Sequence, residues 1–135
     1  MEEKKLNMRD YVEETPDVVR KNCKNHSELT NRLVQEFLKK DYKSIWIVAS
    51  GSSYNACMSA RLFMRKTLNM EVKVIPPFTF ENYENDFKED DFVFVVSQSG
   101  RSTNALAALD FLKKKGQAIA CPLFCDLACK PSSVF

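Results

Sequence analysis

Glycine is scarce in this sequence. Gly51, Gly100 and Gly116 are the only three, so each marks a place where the backbone is expected to need a conformation that other residues avoid. No apolar run approaches the length of a membrane span, and the start, Met1-Glu2-Glu3-Lys4-Lys5, lacks the apolar stretch of a signal peptide. Membrane insertion is therefore not expected, and the cytoplasm is the expected compartment. Charge of one sign is missing too: 20 Lys and Arg against 18 Asp and Glu leave a net charge of +2, mixed along the chain. That balance offers no electrostatic handle for nucleic acid or an anionic bilayer. Histidine occurs once, as His26 in a polar lead-in, and is read as a surface residue. The five cysteines are odd in number and lack an export signal, so they are read as reduced thiols.

What the chain does have is an alternation of elements. With 135 residues and 44% hydrophobic residues it is sized for one globular domain. Residues 1–26 read as the polar lead-in, with a short helix from Pro16 to about Cys23, Pro costing nothing in a first turn. Ser27 reads as the N-cap of a second helix, with Leu29, Leu33, Val34, Phe37 and Leu38 on one stripe and Lys39-Lys40 at its end. Ile45 to Ala49 and Phe92 to Val96 are short continuous apolar runs, the pattern of strands buried on both faces in a parallel sheet. Val72 to Ile75 reads as a strand between them, followed by a Pro76-Pro77 break and an aromatic-acidic loop from Phe78 to Asp91. Helices are expected from about Tyr54 to Leu68, with Ala56, Cys57, Ala60, Phe63 and Met64 as the apolar side, and from about Ser102 to Lys115, with Ala105, Leu106, Ala108, Leu109 and Leu112 inward. Gly116 stands where a left-handed helix end is wanted, and a weaker strand candidate spans residues 118–124. Strands alternating with helices predict an α/β sandwich over residues 27–135, a three-layer fold with a mostly parallel, flavodoxin-like sheet.

Ligands of such sheets bind at the carboxyl ends of the strands. There the sequence places two similar loops, Ser50-Gly51-Ser52-Ser53 after the first strand and Ser97-Gln98-Ser99-Gly100-Arg101-Ser102-Thr103 after the third. Glycine permits a tight turn, while hydroxyls and the first amides of the following helix converge on one point, as an anion requires. Neither loop has the Lys-Ser/Thr ending of a Walker loop or the spaced glycines of a dinucleotide fingerprint, so a small phosphorylated metabolite is favoured. The plainer alternative is that these serines only cap helices.

These residues resemble the sugar isomerase (SIS) domain family, and most closely the isomerase half of glutamine-fructose-6-phosphate aminotransferases and the fructosamine-6-phosphate deglycases. Ala49-Ser50-Gly51-Ser52-Ser53-Tyr54-Asn55-Ala56 is similar to the family's G-T/S-S-Y-x-A loop, and Ser97 to Leu106 to its S-Q-S-G-E-T-x-D-T-L segment. Met8 to Pro16 is similar to the lead-in before the first SIS domain of that subgroup. The resemblance implies a phosphosugar held by Ser53, Ser97, Gln98, Ser99 and Ser102, with Gly51, Ser52, Gly100 and Thr103 supporting the loops. Arg101 replaces a Glu common in the family. It further implies aldose-ketose isomerisation or deglycation of 6-phosphosugars without metal or organic cofactor, and self-association into a homo-oligomer. A non-catalytic phosphosugar sensor, or a remnant of such an enzyme, is the alternative. The family's catalytic Glu and its His or Lys lie in a second SIS half, for which this chain shows no motif. The chain ends where the domain needs another strand and helix, so a partial domain is expected.

Other chemistry-bearing residues are read as structural. Glu81 and Glu84 precede the third strand and are read as solvated. Cys121, Cys125 and Cys129 recur every four residues, yet Pro122 and Pro131 interrupt any helix, so free thiols are expected and no metal. Phe78, Phe80 and Tyr83 are read as core or subunit contact.

Overall fold

The computed structural model describes residues 7–116. In chain order these form α1 (Met8–Lys24), α2 (His26–Phe37), β1 (Ser44–Ala49), α3 (Gly51–Leu68), β2 (Glu71–Ile75), α4 (Pro77–Asn82), β3 (Asp91–Val96) and α5 (Thr103–Lys114). The chain divides into two compact units, one up to Glu36 and one from Phe37. The strand expected at residues 118–124 and the three C-terminal cysteines lie outside the described residues.

In the first unit, α1 begins well before the expected Pro16. Asn7 Oδ1 accepts the amides of Arg9 at 2.9 Å and Asp10 at 3.2 Å, and the Asp10 carboxylate accepts the Asn7 amide at 2.8 Å. This capping box satisfies the orphan donors and starts the helix upstream. Pro16 then sits inside α1, where it forfeits one backbone bond; Val12, whose carbonyl loses that partner, is exposed to water. Likewise α2 starts one residue before the expected Ser27 cap, because the Leu29 amide donates to the Asn25 carbonyl at 3.1 Å. His26 is exposed as expected, its Nδ1 2.8 Å from the Cys23 carbonyl oxygen. Neither helix contains a buried residue.

The second unit is built on a three-stranded, all-parallel sheet in the order β2-β1-β3. Central β1 is buried from Ile45 through Ala49 and β3 from Phe92 through Val95, which is what apolar runs without alternation demand of a doubly covered sheet. Register sorts the faces. Trp46 and Val48 pair with Val93 and Val95 and, with Ile75, meet Phe80 of α4 and Ala105, Ala108, Leu109 and Leu112 of α5 in one core. On the opposite face Phe92 carries Phe37 at 5.2 Å and Tyr42 at 5.0 Å between ring centroids. Burying Phe80 alone removes an aromatic side chain from water, a gain of about 1.5–3 kcal/mol.

Two expectations need correction here. The segment after Pro76-Pro77 is not all loop: Pro77 is the first residue of α4, Pro being preorganised for that position, and Phe80 is fully buried. The expected apolar side of α3 is also displaced. Ser53, Tyr54, Cys57, Arg61 and Met64 are its half-buried positions, whereas Ala56, Ala60 and Phe63 are exposed, Phe63 by 72%. A helix with apolar residues on more than one stripe leaves the choice to its contact with β1 and β2. In α5 four of the five expected inward residues are buried and Leu106 is exposed.

Candidate functional site

The last register pair between β1 and β3 is Ala49 with Val96, so Ser50 and Ser97 leave the sheet side by side, about 4.8 Å apart in strand spacing. From there the chain turns in opposite directions. β1 feeds α3, which returns to β2 on one side, and β3 feeds α5, which packs on the Trp46 face. Central β1 has a later strand on each side, so its boundary with β3 is the topological switch point, where neighbouring loops splay and open a crevice.

The glycines make both turns possible. Gly51 has φ +57° and Gly100 φ +65°, values that cost a side-chain-bearing residue about 1–2 kcal/mol. After Gly51 the backbone enters α3 at once, so Ser52 and Ser53 belong to the first helical turn rather than to a loop, Ser53 half-buried and Ser52 exposed. After Gly100 it passes Arg101 and Ser102 before α5 begins at Thr103. Gly116, φ +71°, follows the end of α5 as expected.

The second turn is internally bonded. Ser97 is the buried polar side chain among the described residues, 7% exposed, and its Oγ accepts the Gly100 amide at 3.1 Å. Ser99 Oγ accepts the Arg101 amide at 3.2 Å. Both hydroxyls therefore hold the turn by accepting backbone amides. Gln98 and Ser99 are exposed and Ser102 is half-buried.

Helix α3 has Ser50 as N-cap and α5 has Ser102, and in neither does the serine side chain cap the first-turn amides. The plainer reading of these serines as caps therefore does not describe Ser50 and Ser102, while Ser97 and Ser99 do satisfy backbone amides of their own turn. Neither first turn carries an acidic residue. The helices that follow the neighbouring strands β1 and β3 thus both begin without a side-chain cap from their N-cap serine and without a first-turn carboxylate, and a helix N-terminus of that kind favours an anion. Ser50 is not among the residues the family motif nominates, although it stands one residue past an apolar strand and before a glycine.

The remaining candidates lie elsewhere. Glu84 pairs with Lys73 at 3.3 Å, and Lys73 in turn sits 4.0 Å over the Trp46 ring, well down the sheet from its carboxyl edge. A depression lined by Ser44, Trp46, Lys73, Asp86 and Asp91 lies at the opposite edge, where the strands begin. There Ser44 Oγ donates to Asp91 at 2.5 Å and accepts the Trp46 indole N–H at 3.1 Å, tying β1 to β3. Among the described residues no group of three His, Cys, Asp or Glu side chains is placed to hold a metal ion. No helix among them is long and apolar enough to cross a membrane. Cys57, on the sheet side of α3, has its thiol pKa pushed up by burial.

The comparisons with known proteins meet this geometry. The family model for the SIS domain matches residues 38–131. Glutamine–fructose-6-phosphate aminotransferase (isomerizing) of Chlamydia pneumoniae is 28% identical over 111 residues, covering 79% of this chain and 18% of its own length. The chain thus spans less than a fifth of that relative. Among solved structures, a Clostridium difficile 630 protein described as a candidate phosphosugar isomerase superposes with a TM-score of 0.74 at 26% identity, over 96% of this chain and 35% of that one. The C-terminal domain of glucosamine-fructose-6-phosphate aminotransferase from Francisella tularensis follows with a TM-score of 0.55 at 29% identity, over 64% of this chain and 24% of that one. With the parallel β2-β1-β3 sheet, the two glycine turns and a family match over most of its length, the chain belongs to the SIS domain family.

Proposed function

We propose that this domain binds a hexose 6-phosphate, or its amino or glycated derivative, with the phosphate between the Ser50–Ser53 turn and the Ser97–Thr103 loop. Ser53, Ser97, Gln98, Ser99 and Ser102 are the proposed phosphate ligands, joined by Ser50 and the first amides of α3 and α5. One observation carries the reading: the neighbouring strands β1 and β3 each lead, through a glycine turn, into a helix whose first turn has no carboxylate and whose N-cap serine makes no side-chain capping bond. The names of the matched relatives, an isomerizing aminotransferase of fructose 6-phosphate and phosphosugar isomerases, supply the sugar class.

Ligand binding is proposed rather than turnover by these residues alone. Isomerisation needs a base and an acid positioned at the sugar carbons. The two turns supply hydroxyls and amides, and Glu84 is engaged with Lys73. Proton transfer in a family isomerase built on this domain requires groups from outside the two turns. Self-association belongs to the same proposal, supported by Leu62 and Phe63 standing 58% and 72% exposed on α3.

The test is a set of melting curves with fructose 6-phosphate, glucosamine 6-phosphate, inorganic phosphate and unphosphorylated fructose. A ligand at 100 times its Kd stabilises by about 2.7 kcal/mol. The phosphosugars are expected to raise the Tm most, phosphate less and fructose not at all. An equal response to fructose and fructose 6-phosphate sinks the anion site.

A further inference from the structure

Helix α1 has little to hold it. No residue of α1 is buried, and Pro16 lies inside it. A lone helix of this length is marginal in water, and an internal proline weakens it further. The capping box at Asn7 secures only its first turn, so a stable α1 needs a cover for its apolar side.

At about 3.6 residues per turn that side is sharply drawn. Met8, Tyr11, Val12, Val18, Val19 and Cys23 fall on one stripe and are all exposed, while every charged residue of α1 falls on the opposite face. The charges are also sorted by end. Asp10, Glu13, Glu14 and Asp17 occupy the N-terminal part, where Arg9 is spent on Glu13 at 2.6 Å, and Arg20, Lys21 and Lys24 occupy the C-terminal part. A helix acidic at one end and basic at the other is complementary to its own reverse.

The residues bordering the stripe fix the direction. Glu14 and Lys21 lie along one border, Glu13 and Arg20 along the other. Two copies laid parallel would set Glu14 against Glu13 and Lys21 against Arg20, like charge against like. Laid antiparallel about a two-fold axis between Asp17 and Val18, they set Glu14 against Lys21 of the second copy and Glu13 between its Arg20 and Lys24. Val12 then comes level with Cys23 of the second copy and Val19 with its Pro16, and the two helix dipoles oppose. Each contact occurs twice, as a two-fold interface requires.

We propose that α1 is a pairing helix, which docks by its apolar stripe, antiparallel, on α1 of a second copy of this chain. The stripe supplies the attraction and the charges the direction, since exposed ion pairs are individually weak. The contact uses neither the phosphate turns nor Leu62 and Phe63 of α3, so it does not rest on the phosphosugar reading.

The test is cross-linking of the full chain carrying Val12→Cys with a short bis-maleimide, the linked peptides being read by mass spectrometry. Cys23 stands about three turns along the same helix from position 12, roughly 16 Å away, too far for a link within one chain. A link between position 12 and Cys23 therefore joins two copies. It is expected to dominate, and adding Val19→Glu should abolish it. Links of position 12 to itself and of Cys23 to itself would show a parallel pair and overturn the proposal, and so would the absence of any link between copies. Sedimentation equilibrium gives a second reading. Glu14→Lys and Lys21→Glu are each expected to raise the dimer Kd about tenfold, as two attractive contacts turn repulsive, and the double variant to restore it. Single variants without effect, or a double variant that does not recover, overturn the antiparallel pairing. All four substituted positions are exposed, so folding is not at stake.

Discussion

The glycine turns after β1 and β3 are alike in composition and differ in what holds them. At Gly51 the chain turns and is helical within one residue, and the Ser50 hydroxyl makes no capping bond. At Gly100 the turn is longer and laced by two of its own hydroxyls, Ser97 to the Gly100 amide and Ser99 to the Arg101 amide. In the first turn the N-cap serine makes no side-chain capping bond. In the second the serines serve the turn before they serve anything else, so removing them has two consequences where the first turn has one. Similar sequence thus encodes one turn shaped by a helix start and another shaped by its side chains.

The largest way to break this comparison is to remove the glycines. Gly100→Val places a β-branched residue at φ +65° and should cost at least the roughly 1–2 kcal/mol of the left-handed region. Each kcal/mol lowers the Tm by about 4–8 °C in a domain of this order. Gly51→Val, where an added Cβ meets nothing within 4 Å, should lose the backbone cost alone and fall less. The single tryptophan, Trp46, is buried, and its fluorescence reports both transitions. Equal falls would mean that the Ser97 bond adds nothing to the second turn.

A smaller effect separates the serines. Ser97→Ala removes the acceptor of the Gly100 amide and should destabilise by about 1 kcal/mol while weakening phosphate binding. Ser50→Ala should leave the melting curve within about 0.5 kcal/mol of wild type and act on binding only. A matching loss of stability in the two variants would erase the distinction between the turns.

Ligand charge sharpens the common part. A phosphate monoester loses its second negative charge near pH 6, so calorimetric affinity for fructose 6-phosphate should fall as pH drops through that value. An affinity flat from pH 8 to 5 would deny the helix N-termini their part.

The smallest effect lies beneath the first turn. Burial raises the Cys57 thiol pKa, so its folded-state value exceeds the unfolded one. The resulting contribution to stability is complete below the unfolded-state value and is lost as pH rises through the folded one. At neutral pH a thiol reagent should modify exposed Cys23 well before Cys57, as mass spectrometry of the labelled chain would read. Equal rates would show that α3 opens from the sheet as readily as the chain frays.

Much of this was visible in residue order. Apolar runs without alternation at Ile45–Ala49 and Phe92–Val95 read as buried parallel strands because only a doubly covered strand tolerates them, and Ala105, Ala108, Leu109 and Leu112 read as a buried stripe. Other features were hidden for definable reasons. Pro76-Pro77 reads as a break, yet the same residue type opens α4. The Asn7–Asp10 capping box extends α1 upstream of a proline that local rules treat as a start. In α3, apolar residues on several sides left the stripe open until the sheet chose Tyr54, Cys57 and Met64. The sequence places the end of β1 at Ala49 but starts α3 near Tyr54, so Ser50 reads as a loop residue until the structure starts the helix at Gly51.

By itself the sequence determined the local states: which runs are strands, where glycine must take a positive φ, and which helices carry an apolar side. These follow from sterics and periodicity over a few residues. The tertiary structure alone decided that β1 lies between β2 and β3, and so brought Ser50 beside Ser97. Strand order arises from long-range register and crossover direction, which no local run of side chains encodes.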